Sequence, residues 1–248
     1  MPLGSSMRRL FRHVVHFNQE RLDKWVSDRA REVPSGARVL DVGAGGGPYR
    51  ALFAHCEYKT HDFGQLKSEQ IIQGKYAAID YVSDITNIPV GDGSFDVILS
   101  TEVLEHVPRP IDALKEMARI LSTGGQLLLT VPLGSGIHQE PYHFYGGYTP
   151  YFFEFFLNAC GFTEIEVTPK GGSFSHFAQW LVWFFKRSNP FSLRLGLPSQ
   201  VLLFPIYLLQ LPSVVWLFFY CRLVDSAEDR FQFTGGYYVR ATRGSRAG

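Results

Sequence analysis

The chain has 248 residues, with 24 Lys and Arg set against 23 Asp and Glu for a formal net charge of +1. At 46% hydrophobic and 19% charged residues, its length and composition suit one large α/β domain, or a domain carrying a sizeable insertion. So little net charge leaves no electrostatic footprint for nucleic acid, and no nucleic acid is expected among its partners.

Cys56, Cys160 and Cys221 lie far apart and form no metal-spaced cluster. That usage points to a reducing cytoplasm. Residues 1–9 carry no long apolar run of the kind a signal peptide has, and Met1–Ser6 is set aside as a disordered start. There is no internal repeat and no low-complexity segment.

In chain order, residues 8–31 read as an amphipathic helix, with Leu10, Val14, Phe17, Leu22, Trp25 and Val26 at roughly helical spacing before Pro34-Ser35-Gly36. Residues 1–35 form the N-terminal helical segment on this reading. The apolar run Ala37–Val42 is a first strand buried on both faces. Glycine then occupies 43, 45, 46 and 47, and Pro48 suits the first position of a helix. Strand, glycine turn and helix start together bring backbone N–H groups close to a nucleotide-like ligand. A dinucleotide fingerprint needs glycine where Pro48 stands, and no P-loop Gly-Lys-Ser/Thr follows. The pattern present is D-x-G-x-G-x-G, from Asp41 through Gly43, Gly45 and Gly47.

Glu57–Asp62 reads as strand two, Ile79–Ser83 as strand three, Phe95–Ser100 as strand four and Gln126–Pro132 as strand five. Between the last two, Pro110–Leu121 is an amphipathic crossover helix ended by Gly124-Gly125. Tyr151–Ala159 is an aromatic helix capped by Gly161, Phe162–Thr168 is strand six and Gly236–Thr242 is strand seven. Strands alternating with helices predict a doubly wound, Rossmann-like α/β sheet with right-handed crossovers. Residues 36–169 and 235–243 make this core, and 170–234 make an apolar helical insertion.

The glycine motif resembles the first motif of class I S-adenosylmethionine (SAM)-dependent methyltransferases. The block Asp84-Ile-Thr-Asn-Ile-Pro-Val-Gly-Asp-Gly-Ser-Phe-Asp-Val-Ile-Leu-Ser-Thr-Glu-Val-Leu-Glu-His-Val107 is similar to that family over its whole length. It looks like the group holding the quinone-biosynthesis C-methyltransferases and many small-molecule O- and N-methyltransferases. The resemblance covers about residues 36–168 and the closing strand. It implies seven strands, mostly parallel with an antiparallel last strand, and SAM as cofactor with S-adenosylhomocysteine as product. It also implies a cofactor site of Asp41, Gly43, Gly45, Gly47, Asp62, Phe63, Asp84, Ile85, Thr101, Glu102 and His106. Asp62, after strand two, is placed to accept both ribose hydroxyls. By resemblance Asp84 accepts from the adenine amino group, Ile85 packs on its ring, and Thr101, Glu102 and His106 line the methionine end and the rim of the substrate pocket. A capping or packing role for His106 stays open, and Glu105 points to solvent or to a structural partner.

Ligands of open α/β sheets bind outside the carboxyl ends of the strands, so the loop after strand five, Pro132 to Thr149, faces the methyl group. It carries His138, Glu140, Tyr142, His143, Tyr145 and Tyr148. Relatives in polysaccharide and secondary-metabolite pathways have a similar His…Pro…Tyr-Arg-Tyr-Thr segment. Here Gly146 and Gly147 occupy the place of the arginine and His143 that of a frequent aspartate, so the arginine's role does not carry over. Methyl transfer is an in-line displacement governed by positioning, and an alcohol nucleophile also loses a proton. A neutral histidine, His138 or His143, is the expected base, with Tyr142, Tyr145 and Tyr148 lining the acceptor. His138, Glu140 and His143 alone do not establish a metal, and none is assigned. The resulting expectation is a SAM-dependent O-methyltransferase of EC class 2.1.1 acting on a small-molecule or lipid- or sugar-linked acceptor. Carbon or nitrogen methylation of a hydrophobic ring, and a non-catalytic interaction module on the same fold, are the alternatives.

Within 170–234, Val201–Cys221 contains no charged residue, with Arg187, Arg194 and Arg222 flanking it. The length suits a membrane span, but both ends return to one sheet, and the second apolar run, Phe174–Phe185, is too short to cross. A lid over the acceptor, a homodimer interface and a peripheral contact with a membrane surface remain open, with a cytoplasmic or membrane-associated location to match.

Overall fold

The computed structural model describes residues 17–71, 73–225 and 233–245. The chain divides into two compact units, Met1–Leu22 with Pro169–Gly235 and Asp23–Thr168 with Gly236–Gly248. The expected first helix is present in the described residues as α1, Phe17–Glu32; Leu10 and Val14 lie outside them.

The second unit is a seven-stranded sheet in the order β3-β2-β1-β4-β5-β7-β6. Its strands are β1 Arg38–Val42, β2 Glu57–Asp62, β3 Tyr81–Val82, β4 Phe95–Thr101, β5 Leu121–Pro132, β6 Phe162–Pro169 and β7 Gly236–Arg243. β1 pairs parallel with β2 and β4, β4 pairs parallel with β5, and β5 pairs antiparallel with β7. β1 and β4 lie mid-sheet as near-continuous buried runs, as parallel strands covered on both faces require. Helix α2, Pro110–Ile120, starts with proline in its first turn and buries Ala113, Leu114, Met117, Ala118 and Ile120 on one stripe. Helix α3, Pro150–Ala159, buries Phe153 and Leu157 in the same core cluster.

Three expectations are corrected. The glycine turn does not open an α-helix: it leads into one 3-10 turn, Arg50–Phe53. Only residues 43–56 separate β1 from β2, and the glycines use the first five of them, so too few remain for a helix with a useful dipole. Second, α2 is not ended by Gly124-Gly125. It stops at Ile120, and β5 begins at once at Leu121, its register against β4 shifting between Phe95 and Val97. Gly124, at φ +78°, sits inside the irregular start of β5. Third, β3 is shorter than Ile79–Ser83, as befits an edge strand.

The other unit holds α4 Ser173–Arg187, α5 Leu197–Leu209 and α6 Leu211–Val224. Its polar anchor is Asp225, 3% exposed. That carboxylate accepts from Gly172 N at 3.1 Å, Ser175 N at 2.8 Å and Ser175 Oγ at 2.5 Å, and pairs with Arg21 at 3.3 Å. It therefore satisfies the free amides at the start of α4. Burial pushes the carboxyl upward, but the Ser175 hydrogen bonds and the Arg21 charge hold it below the ordinary value. Phe17, Ala178, Val182, Phe218 and Cys221 form the buried cluster of this unit. Among the described residues no single helix is long and apolar enough to cross a membrane; α5 and α6, bent by 42° at their junction, reach that threshold together.

Gly236 faces Pro132 where β7 joins β5, at φ +152°. A Cβ there would lie 2.9 Å from Pro132 Cα and would strike the Val131 carbonyl. Gly236→Ala should therefore lower stability by about 1–3 kcal/mol or more, from a backbone region reserved for glycine plus the steric conflict. Urea denaturation would read this as a lower midpoint with unchanged slope.

Candidate active site

The sheet unit builds its site at the carboxyl ends of β1, β2, β4 and β5. After β1, Gly43, Gly45 and Gly47 take φ of +78°, +50° and +65°, a region costly for side chains. A Cβ on Gly43 would lie 2.8 Å from Val103 Cγ1, whereas one on Gly45 would meet nothing within 4 Å. Gly43 is thus closed by packing, and Gly45 faces open space. Strand β2 holds the turn in this shape. His61 O accepts from Gly43 N at 2.8 Å and Ala44 N at 3.0 Å, and Asp62 Oδ2 accepts from Gly45 N at 2.9 Å. Asp62 Oδ1 accepts from Gly64 N at 3.0 Å. Phe63 meets Tyr142 edge-to-face at 5.0 Å, bringing the segment after β2 against the loop after β5.

Asp41 is 2% exposed and accepts the hydroxyl of Tyr58. Burial raises its carboxyl to about 7, against the lowering effect of that hydrogen bond. It braces the floor of the turn from within the sheet. Asp84 is exposed, and its Oδ1 accepts from Thr86 N at 2.8 Å and Thr86 Oγ1 at 2.7 Å. These bonds hold its carboxyl below the usual value. Ile85 beside it is buried.

At the end of β4, Thr101 leads into Glu102, whose φ is +53°. Glu102 N donates to Thr130 O at 2.9 Å, and Thr130 Oγ1 donates to Glu102 Oε1 at 2.8 Å. Next comes the 3-10 turn Leu104–His106. Glu105 is 1% exposed, so of its two expected placements it takes the internal one. Its carbonyl accepts from Phe144 N at 2.9 Å and Tyr145 N at 3.2 Å, which folds the loop after β5 back over the end of β4.

This fold-back assembles three histidines. Ring centroids of His106 and His138 are 4.7 Å apart, those of His138 and His143 4.8 Å, and those of His106 and His143 5.7 Å. His106 Nδ1 lies 2.6 Å from Tyr142 O, and His138 Nδ1 lies 2.8 Å from Gly136 O. Carbonyl oxygens only accept, so each ring donates from Nδ1 and, when neutral, keeps a lone pair on Nε2. His143 Nε2 pairs with Ser135 Oγ at 3.1 Å. Burial lowers His106 to about 4, and the nearby His138 and His143 push it the same way. Burial, then His138, also lowers His143. Glu105, His106 and His138 have ligand atoms within 4.8 Å of one another, a set different from the His138, Glu140 and His143 suggested by the loop sequence.

Of the expected substrate tyrosines, Tyr142 holds His106 through its carbonyl, and its hydroxyl donates to Gln65 Oε1 at 3.1 Å. Tyr145 is exposed and donates to Pro108 O at 3.2 Å. Tyr148 is 5% exposed in the core cluster, donating to Leu104 O at 2.7 Å, so it supports the loop from beneath. Residue types gave no sign of the His106 contact. The neighbouring places of β4 and β5 in the sheet were the available signal, because adjacent strands bring their following loops together.

A methyltransferase-domain family model matches residues 14–184, more than half of the chain. The chain belongs to the class I SAM-dependent methyltransferase family. Among curated relatives, a sarcosine/dimethylglycine N-methyltransferase of Halorhodospira halochloris is 27% identical over 56% of this chain and 56% of its own. A demethylmenaquinone methyltransferase of Paenarthrobacter aurescens is 30% identical over 51% of this chain and 53% of its own. A tRNA (carboxymethyluridine(34)-5-O)-methyltransferase of Mus musculus is 31% identical over 47% of this chain and 18% of its own. The matches thus span about half or less of these relatives. In fold, the chain resembles Haemonchus contortus phosphoethanolamine N-methyltransferase 2 in complex with S-adenosyl-L-methionine, at TM-score 0.51 and 17% identity over 94% of this chain and 56% of that one. It also resembles the [4+2]-cyclase SpnF, at TM-score 0.53 and 18% identity over 88% of this chain and 79% of that one.

SAM is the cofactor of this family, and the residues fit it. Gly45 leaves room where any side chain would intrude, and Asp62 stands buried beside the turn with lone pairs beyond its two backbone bonds. Asp62→Ala should weaken SAM binding by roughly tenfold or more, since it leaves the Gly45 amide of the turn without its acceptor and removes the lone pairs beside it. Gly45→Val should weaken it comparably by filling the cradle. Calorimetric titration reads both, and wild-type affinity in either variant would remove that residue from the cofactor site.

Proposed function

We propose that this protein transfers the methyl group of SAM to an oxygen of a small-molecule or lipid- or sugar-linked acceptor, with the loop after β5 accepting the acceptor's proton. The clustering of His106, His138 and His143 at the ends of β4 and β5 carries this reading. When bound, SAM supplies an electrophilic methyl group on a sulfonium. Asp62 and the glycine turn hold and orient it, with Asp84 and Ile85 at its base end. As the new C–O bond forms and the S–C bond breaks, the hydroxyl proton of the acceptor passes to an imidazole Nε2 lone pair. His138 suits this role because it is exposed and its Nδ1 is already committed to Gly136 O. The neighbouring imidazoles stay uncharged at neutral pH, which keeps the cluster ready to take one proton. Tyr142 and Tyr145 line the acceptor side.

The test is a panel of hydroxylated aromatic, sugar and lipid-linked acceptors with deuteromethyl-labelled SAM, read by mass spectrometry. An oxygen-linked label supports the proposal. A label on carbon or nitrogen overturns the oxygen assignment, and SAM binding without turnover on any acceptor favours a non-catalytic module. His138→Ala should lower kcat by about 10²–10⁴-fold with little change in SAM affinity. Burial holds His106 and His143 below the ordinary imidazole value of about 6.5, so these two gain a proton only in acid. Any part they play as neutral neighbours of the base should therefore persist through neutral pH and be lost as pH falls below that value, which a kcat/KM profile of the His143→Ala variant beside wild type measures.

The Glu105, His106 and His138 geometry favours a second reading, in which a divalent cation bound there polarises the acceptor oxygen. Loss of activity with a chelator, restored by added cation, would select it over the simple base.

A further inference from the structure

We propose that the helical unit docks on a lipid bilayer, with α5 and α6 sunk into one leaflet without crossing it. The proposal is independent of the chemistry assigned to the sheet unit.

The exposure of α5 carries it. None of its residues is buried, and Leu197, Val201, Leu202, Ile206 and Leu209 are between 55% and 77% exposed. At about 100° per residue these positions spread over about half of the helix circumference, wider than one stripe, opposite Phe204 and Tyr207, which pack on Phe191 and Phe185. α6 buries Phe218 and Cys221 on one face and leaves Trp216 at 64% and Leu223 at 78% exposed on the other. A protein partner covers one face of a helix and leaves the opposite side wet. Fluid hydrocarbon moulds to an apolar surface of any width, and a helix that leaves about half of its circumference apolar and open matches that solvent. A patch of this extent is far beyond the scattered apolar residues of an ordinary surface.

Charge points the same way. Leu195–Cys221 contains no charged residue, while Pro169–Asp225 holds Lys170, Lys186, Arg187, Arg194 and Arg222 against the single acid Asp225. Lys186, Arg187 and Arg194 are exposed at the end of α4 and in the following loop, where they complement anionic headgroups. Trp180 and Trp183 are partly exposed on α4, with Arg187 stacked over Trp183 at 4.6 Å. Aromatic rings beside cations are the side chains that settle at a membrane–water boundary.

Topology limits the depth. The segment leaves β6 and returns to β7, neighbours in one sheet, so an odd number of crossings is excluded. α4 has 15 residues, about 22 Å of helix, short of the roughly 30 Å hydrocarbon core. What remains is a hairpin held within one leaflet.

The test is flotation of the full chain with vesicles of phosphatidylcholine alone and of phosphatidylcholine with phosphatidylglycerol. The expected result is co-flotation, stronger with the anionic mixture and largely kept at 1 M salt, where electrostatic attraction alone would be lost. Leu202→Glu combined with Leu209→Glu, both at exposed positions, should reduce the floated fraction at least tenfold. Its SAM affinity should match wild type, which separates loss of docking from misfolding. Failure of the wild-type chain to float with either vesicle overturns the proposal. A stable dimer in detergent-free buffer that does not float would assign the face to a second copy instead.

Discussion

The parallel pairing of β1 with β2 is the constraint on which the site depends. Its register sets Val42 beside His61, which carries Asp62 to the level of the glycine turn. Two consecutive residues of β2 then hold that turn by different means, a carbonyl taking the amides of Gly43 and Ala44 and a carboxylate taking the amide of Gly45. A slip of one residue would send Asp62 to the opposite face of the sheet. Buried anchors oppose such a slip. Tyr58 is tied to Asp41, and His61 Nε2 donates to Ser83 O at 3.0 Å. Loop conformation, normally soft, is here fixed by a strand register that the hydrophobic core enforces.

Most of the sheet was legible in the sequence because buried parallel strands are nearly continuous apolar runs, and because Gly43, Gly45 and Gly47 mark a turn that needs positive φ. The helix expected after Pro48 was not legible, since proline in a first turn permits a helix without requiring one. The span available before Glu57 decided otherwise. The true ends of α2 and β5 were obscured by Gly124-Gly125, a signal shared by helix caps and strand irregularities. Asp41 belongs to the sequence motif, yet its partner Tyr58 follows from strand register and not from any local pattern.

The histidine cluster shows a similar division. Its members were visible one at a time, on segments following β4 and β5, and adjacency of those strands was predictable. Their convergence depends on backbone bonds from Phe144 and Tyr145 to Glu105, which no residue type announces. Two non-glycine residues with positive φ flank this region, Glu102 at +53° and Gln139 at +51°. Each costs about 1–3 kcal/mol, and such strain persists where surrounding contacts over-determine it. For Glu102, the two bonds to Thr130 supply that determination.

The placement of α4 to α6 between neighbouring strands has an entropic consequence. A two-residue hairpin could join β6 to β7, but the chain closes a far longer loop, from Pro169 to Gly236. That loop is about five doublings longer, and its closure costs on the order of 3 kcal/mol more. The helical unit must offset this cost from its own packing, and among the described residues its buried cluster comprises Phe17, Ala178, Val182, Phe218 and Cys221. Its order therefore draws on whatever solvent surrounds α5 and α6. The folding equilibrium of this segment becomes a measure of that environment, while the register of β5 with β7 holds the sheet unchanged.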